Sequence, residues 1–258
     1  PKEHININSQ DVDNSLVSSY SDKTWIFGNY TNINENVMTA LIKGDINYNV
    51  VEFDYKYCQY RNLELHILME GKECDCEYSK HGKFIGSFLQ NANKVFFMSK
   101  KQMDIHLERL ELEEDKCVVL SSVFTSETLD KIKTLREKYA DQKQDFWAIS
   151  GSPNWVKGAD AAKKWCHENN VDFVELNNMP YEQALEVLAK AKGLCLLPCG
   201  ADTCPRLVIE AKLLGCELHY NEGVQHANES WFDTDDVDSI ESYLRDFENR
   251  FWPNIVNE

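Results

Sequence analysis

Two kinds of hydrophobic pattern alternate along the chain. Short runs rich in β-branched and aromatic residues predict strands, and longer stretches with apolar residues three or four positions apart predict helices. We predict strands over 24–28, 49–55, 63–69, 94–98, 116–123, 145–151, 171–176, 194–198 and 216–220. We predict helices over 34–44, 84–92, 100–110, 126–139, 158–169, 181–192, 205–214 and 236–251. This alternation is typical of βαβ units, which build mainly parallel sheets.

The strand and helix series runs twice, and this repetition predicts two domains. Residues 1–22 are polar and rich in Asn, Ser and Asp, so we expect a loosely ordered lead-in. We place a compact N-terminal Rossmann-like domain at 23–125 and a C-terminal one at 126–258, with the final helix near their junction. The predicted fold class is therefore α/β, with two Rossmann-like domains facing a cleft at the carboxyl ends of their strands.

Charge and hydropathy exclude several classes of partner. Lys plus Arg total 27 against 43 Asp plus Glu, a formal net charge of −16, which repels nucleic-acid phosphates and anionic lipid surfaces. No apolar run reaches the roughly 18 residues of a membrane span, and the first residues lack the pattern of a signal peptide. We therefore expect a cytoplasmic protein with no nucleic-acid partner and no transmembrane segment.

The cysteines raise the question of a metal site. Nine are scattered along the chain, as expected of reduced thiols that pack like small hydrophobes. Cys58, Cys74, Cys76 and His81 lie close in sequence and could in principle ligate zinc. However, a C-x-C pair with a distant third cysteine is a poor match to the C-x2-C knuckles of structural zinc sites. We therefore expect ordinary thiols here and no metal.

The stretch over 199–215 places a carboxylate on a predicted helix that is otherwise apolar on nearly all sides. Glu210 falls between Leu213 and Leu214 on the helical wheel, and an unpaired carboxylate in a dry site costs several kcal/mol. Glu210 should therefore have a hydrogen-bonding partner. That partner could be a bound ligand. Alternatively, the Glu210 side chain could simply reach solvent or a neighbouring lysine.

Two motifs in this half of the chain match one family. Asp202 and Glu210 are separated by seven residues, with Pro205 and Arg206 between them, and a G-x5-K-G loop runs from Gly151 through Lys157 after a predicted strand. The sequence over about 94–250 resembles the retaining GT-B glycosyltransferases, which carry an E-x7-E motif and a phosphate-binding lysine. Here an aspartate replaces the first glutamate, and the arginine that usually precedes the lysine is absent.

The resemblance implies a set of donor-binding roles. Lys157 would contact the donor diphosphate, Glu210 the ribose hydroxyls and Asp202 the sugar, which makes Asp202 and Lys157 the candidate catalytic residues. A helix N-terminus favours phosphate, so we expect the diphosphate near the start of the predicted helix 205–214. The remaining candidate donor-binding residues are Gly28, Gly151, Asn177, Met179, Pro205, Arg206 and Leu207. The family's N-terminal histidine could be His66 or His81.

These roles predict a metal-independent hexosyltransferase that uses a nucleotide diphosphate sugar, such as a UDP or GDP sugar, with retention of configuration. The acceptor is an unknown glycan, lipid or protein, and no cofactor is expected. Asp233 and Asp235 form a D-x-D sequence, but it reads better as a helix cap than as a metal motif. Two alternatives stay open, namely a nucleotide-sugar-binding protein without turnover and a nucleotide-sugar epimerase.

Overall fold

A computed structural model describes residues 4–44 and 46–255. Residues 1–3 of the expected lead-in and 256–258 of the expected C-terminal domain lie outside the described residues, as does residue 45. The chain forms two compact units, each with a four-stranded parallel sheet. This architecture confirms the predicted α/β class. In the described part of the chain, no helix has the length and apolar character needed to cross a bilayer.

The first unit comprises three segments of the chain: the residues up to Met98, Gln102–Leu120 and the residues from Phe251 onward. Its sheet has the order β1-β2-β3-β4, with β1 Trp25–Phe27, β2 Tyr48–Glu52, β3 Val95–Phe97 and β4 Cys117–Val119. Its helices are α1 Asn14–Ser19, α2 Glu35–Lys43, α3 Leu63–Glu70, α4 Lys80–Gln90 and most of α5 Lys100–Leu110. The Phe251 ring lies 4.7 Å from that of Phe96, so Phe251 packs on the core of this unit.

Two segments of the first unit differ from the sequence-based expectation. The predicted strand over 63–69 is wrong, because helix α3 occupies these residues. The Asn62 side chain accepts a hydrogen bond from the Leu65 amide at 3.1 Å, and Gly71 ends the helix at φ 69°. The apolar run over 63–69 is short enough to suit either a strand or a helix, and these two caps favour the helix. Within the predicted lead-in, Asp13 caps α1, and Val12 and Val17 are buried.

The second unit comprises Ser99–Lys101 and Ser121–Arg250. Its sheet has the order β6-β5-β7-β8, with β5 Gln144–Ser150, β6 Phe173–Leu176, β7 Ala191–Leu196 and β8 Glu217–Tyr220. The helices are α6 Ser126–Tyr139, α7 Ala159–Glu168, α8 Tyr181–Lys190, α9 Arg206–Leu213, α10 Val237–Arg245 and α11 Phe247–Phe251. The predicted helix over 236–251 is thus two helices. At the break, the Asp246 carboxylate accepts a local hydrogen bond from Asn249 at 2.6 Å.

A buried histidine in the second unit makes stability depend on pH. His226 stacks on Trp231, and burial, together with the nearby Lys212 charge, lowers its pKa to about 3. A histidine with a depressed folded pKa stabilises the fold fully above its unfolded pKa of about 6.5, and this contribution is lost as the pH falls. We expect a loss of about 1.4 kcal/mol per pH unit between these two values.

The variant His226→Phe tests this expectation, because it keeps an aromatic ring against Trp231 and removes the titrating group. Urea unfolding from pH 7 to pH 4 should give a flatter pH dependence for the variant than for the parent. Parallel curves for the two proteins would show that His226 does not contribute to acid sensitivity.

Candidate functional site

The loops that follow three neighbouring strands of the second unit carry the candidate site residues. Strand β5 ends at Ser150, β6 at Leu176 and β7 at Leu196. These strands are parallel neighbours in the sheet, so their carboxyl ends lie along one edge. Ligands of open α/β sheets bind at this edge. The sheet therefore brings the predicted glycine and lysine loop, the loop over 177–180 and the Asp202 segment to the same side.

The Lys157 turn is held in place by local backbone bonds. Residues Trp155–Lys157 form a single helical turn, capped by the Asn154 side chain, which accepts from the Val156 amide at 3.1 Å. The Val156 carbonyl in turn accepts from the Cys199 amide at 3.2 Å. Gly158 follows at φ 61° and packs directly on the segment after β7. The turn that carries Lys157 is therefore fixed against the chain that leads to Asp202.

Lys157 and Asp202 form an ion pair. The Lys157 Nζ atom lies 2.6 Å from Asp202 Oδ2, and the aspartate side chain is 11% exposed. Backbone bonds fix the aspartate, because its amide donates to the Gly223 carbonyl at 2.8 Å and its carbonyl accepts from the Gln225 amide. An ammonium group has three donors. Asp202 thus orients the lysine while leaving capacity for an anionic ligand.

Glu210 lies in the second turn of α9 and is 5% exposed. The Tyr181 hydroxyl donates to Glu210 Oε1 at 2.7 Å, and Arg206 Nε lies 3.5 Å from the same oxygen. Burial raises the pKa of Glu210, and the hydrogen bond from Tyr181 and the charge of Arg206 partly offset this rise. The expectation that this carboxylate has a hydrogen-bonding partner is confirmed. That partner is Tyr181, the first residue of α8.

The start of α9 offers backbone donors. Pro205 stands at the N-cap and has no side-chain acceptor for the N–H groups of the first turn, which begins with Arg206 and Leu207. The Arg206 guanidinium lies 4.3 Å from the ring centre of Phe124 and donates to the Val123 carbonyl at 3.3 Å. These contacts hold the arginine beside the helix start. Its side chain remains 48% exposed.

Gly151 and Asn177 are in close contact. A Cβ atom at Gly151 would lie 2.4 Å from the Cβ of Asn177, so a side chain here would push the two loops apart. Asn178 has φ 50°, Met179 is half-buried, and Tyr181 then begins α8 and donates to Glu210. The loop over 177–180, which carries the candidate donor-binding residues Asn177 and Met179, is thus linked to Glu210 through the Tyr181 side chain.

The remaining candidates belong to the first unit. Gly28 follows β1, and a Cβ atom there would meet no described atom within 4 Å, so packing does not require a glycine at this position. His81 Nε2 lies 2.9 Å from the Lys56 carbonyl oxygen. His66 is buried beside cysteine sulfurs. Both histidines therefore contact the segment that follows β2.

A charged network at the carboxyl end of β2 was missed by sequence reasoning. Glu52 is fully buried, accepts from the Tyr30 hydroxyl, and lies 2.8 Å from Lys56 Nζ. Lys56 also lies 3.3 Å from Asp54, which pairs with Arg61. Burial raises the pKa of Glu52, and Lys56 counteracts this rise. One hint of this network was present in the sequence. Glu52 and Asp54 are acidic residues within the predicted strand over 49–55, whose other residues mostly suit a buried core.

The fold is similar to solved structures at low sequence identity. A UDP-forming α,α-trehalose-phosphate synthase from Burkholderia xenovorans aligns with a TM-score of 0.56 and 9% identity, over 91% of this chain and 68% of that chain. The Anabaena protein HepE, solved in complex with UDP, aligns with a TM-score of 0.52 and 12% identity, over 92% and 77%. No family model and no curated protein matches the sequence.

These likenesses place the chain among α/β proteins with two parallel sheets and confirm the GT-B-like fold class that the sequence predicts. At such low identity they establish the fold alone.

Proposed function

We propose that the protein is a glycosyltransferase that moves a hexosyl unit from a nucleotide diphosphate sugar to an acceptor. The observation that carries the proposal is the Lys157 and Asp202 ion pair, three residues before Pro205 and the N-terminus of α9. The cation held by Asp202 would then face the same ligand as the backbone donors at the start of α9. Both features stabilise a diphosphate, as a bound ligand and as the leaving group.

The donor fits these groups in one orientation. Its diphosphate would lie between Lys157 and the amides of Arg206 and Leu207, and its ribose would reach Glu210. A carboxylate accepts two hydroxyl hydrogen bonds, each worth about 1.5 to 3 kcal/mol when charge-assisted. The base would then contact Asn177 and Met179, which precede the tyrosine bonded to Glu210.

The hexose would lie beside Asp202, whose carboxylate can accept sugar hydroxyls in addition to the lysine. Because Lys157 and the helix start offset the developing charge on the diphosphate, the proposed reaction needs no metal. We propose retention of configuration on the resemblance of Asp202-x7-Glu210 to the family motif. The acceptor would be a glycan, lipid or protein, and Gly28 remains a candidate donor contact from the first unit.

UDP is the first nucleotide to test, since one similar solved structure is a UDP-forming synthase and another was solved with UDP. Thermal shift with UDP, GDP and ADP sugars should give a rise in melting temperature for one of them. A ligand at 100 times its dissociation constant stabilises by about 2.7 kcal/mol.

The fate of the bound nucleotide sugar distinguishes a transferase from a binding protein and from an epimerase. A transferase should slowly hydrolyse the bound donor or transfer its sugar, and chromatography would detect the released nucleoside diphosphate. Binding without release would favour a nucleotide-sugar-binding protein. Inversion of a sugar centre, with the diphosphate link intact at the end, would favour an epimerase.

Replacing Lys157 with alanine should weaken nucleoside diphosphate binding at least about tenfold, or 1.4 kcal/mol. Sequence reasoning alone predicts an unchanged melting temperature, but the ion pair alters that expectation. The variant leaves the buried Asp202 carboxylate without its cation, which should cost about 1 to 3 kcal/mol of stability.

The matched control is Lys163→Ala, because Lys163 forms a half-exposed ion pair with Glu175 at 2.9 Å in the same unit. Its loss should leave calorimetric affinity for UDP unchanged and cost less than about 1 kcal/mol of stability. Equal affinity of the parent and Lys157→Ala would contradict the role of Lys157.

A further inference from the structure

Four side chains of the first unit converge although they are spread over nineteen positions of sequence. Cys58 follows β2, His66 lies in α3, and Cys74 and Cys76 precede α4. All four are buried, and one possible ligand atom from each lies within 4.8 Å of the other three. Each of these atoms, a thiol sulfur or an imidazole nitrogen, is a common ligand of zinc.

The distances fit one tetrahedral ion. His66 Nδ1 lies 3.7 Å from the Cys58 sulfur and 3.5 Å from the Cys76 sulfur. Zinc bonds of about 2.3 Å to sulfur and about 2.0 to 2.1 Å to nitrogen, at tetrahedral angles, separate the two ligand atoms by about 3.6 Å. The cluster therefore has nearly the dimensions of a Cys3His site.

The fold holds these ligands from several directions. Asn62 caps α3 and so sets the position of His66 one turn later. Gly82 in α4 packs so closely on the Cys76 carbonyl that a Cβ atom would lie 1.9 Å from its oxygen. Arg109 donates to the Cys74 carbonyl at 2.7 Å. Contacts from α3, α4 and α5 thus preorganise the cluster.

We propose that Cys58, His66, Cys74 and Cys76 bind a structural zinc ion that ties the segment after β2 to the start of α4. All four positions would be filled by protein ligands, as in structural zinc sites and unlike catalytic ones. The C-x-C spacing had favoured ordinary thiols over a zinc site, with His81 as the candidate fourth ligand. In the structure His81 bonds the Lys56 carbonyl, and His66 takes the fourth position.

The surroundings of the sulfurs suit thiolates bound to a cation. The backbone N–H groups of Tyr60 and Cys76 donate to the sulfurs of Cys58 and Cys74. A zinc ion would supply the positive charge, displacing the three thiol protons to solvent. Two of the ligands, His66 and Cys76, also line a surface pocket of about 410 Å³. The pocket gives an ion or a chelator a path to the site.

The first test uses the full chain without substitution. Protein produced in zinc-supplemented medium and passed through a desalting column should contain about one zinc ion per chain by mass spectrometry. Chelator treatment should remove it and lower the melting temperature. Adding Co²⁺ to the metal-free protein should then produce the visible absorption of tetrahedral, thiolate-bound cobalt. A metal-free product that takes up neither ion, or a disulfide among these cysteines in freshly reduced protein, would overturn the proposal.

Variants separate ligands from core residues. His66→Ala and Cys76→Ala should reduce zinc affinity more than about 100-fold, whereas His66→Cys should retain zinc through four thiolates. Cys195→Ala is the matched control, because Cys195 is equally buried but lies in the second unit beside Cys166. Zinc content in Cys195→Ala should equal that of the parent. If His66→Ala and Cys76→Ala fold and keep full zinc affinity, the assignment of these ligands is wrong.

Discussion

Replacing Glu210 with glutamine is expected to weaken UDP binding by about 1.5 to 3 kcal/mol, because the amide can accept a ribose hydroxyl at only one oxygen. The substitution keeps the size of the side chain, and the Tyr181 hydroxyl can still donate to the amide oxygen. Stability without ligand should hold or rise slightly. Arg206, the only described cation paired with Glu210, is half-exposed and stays solvated.

The stability effect should depend on pH. Because burial raises the folded pKa of Glu210, its contribution to stability is fully present below the unfolded pKa of about 4.3 and is lost as the pH rises through the folded value. Urea unfolding should therefore show the advantage of glutamine at pH 7 and a smaller difference near pH 4.

Glu241→Gln is the matched control, since Glu241 is also a buried carboxylate of the second unit. It pairs with Arg245 at 2.8 Å and with Arg136 at 3.8 Å. Its neutralisation should lower stability and leave UDP affinity unchanged, the opposite of what we expect for Glu210→Gln. Unchanged affinity with a large loss of stability in Glu210→Gln would make Glu210 a structural residue and would remove it from the donor site.

The variant Gly158→Ala should lower the free energy of unfolding by about 3 kcal/mol or more. A non-glycine residue at φ 61° costs about 1 to 2 kcal/mol, and a Cβ atom would lie 1.7 Å from the Leu197 carbonyl oxygen. Either the Lys157 turn or the end of β7 would have to move, so any folded protein should also bind UDP less tightly.

The control for backbone strain alone is Gly215→Ala. Gly215 has φ 74°, and a Cβ atom there would meet no described atom within 4 Å. Urea unfolding should give a loss of about 1 to 2 kcal/mol at Gly215 and a clearly larger one at Gly158. Equal losses at the two positions would show that the close approach to Leu197 does not matter.

The sequence predicted the repeated strand and helix series because each buried strand is bounded by turn residues and each helix has a regular apolar face. Capping decided the segment over 63–69, where Asn62 and Gly71 enclose a helix that hydropathy alone does not distinguish from a strand. Helix wheels and motif spacing indicated Glu210, Lys157 and Asp202. They contain no information about which side chains meet across the sheet.

The partners of these residues could therefore not be predicted. Tyr181 is twenty-nine positions from Glu210, and Lys157 forty-five from Asp202, so both contacts depend on the order of the strands. The convergence of His66 with three cysteines could not be predicted either, because the segment that carries the histidine was predicted as a strand and not as helix α3. Long-range geometry, and not local pattern, decides these contacts.

A crystal structure of the parent protein with UDP would show whether the strand ends of the second unit bind the donor. We expect the ribose hydroxyls within about 3 Å of the Glu210 carboxylate and the diphosphate at the start of α9 beside Lys157. UDP bound elsewhere, with the pairing of Glu210 and Tyr181 and that of Lys157 and Asp202 facing only solvent, would contradict this expectation.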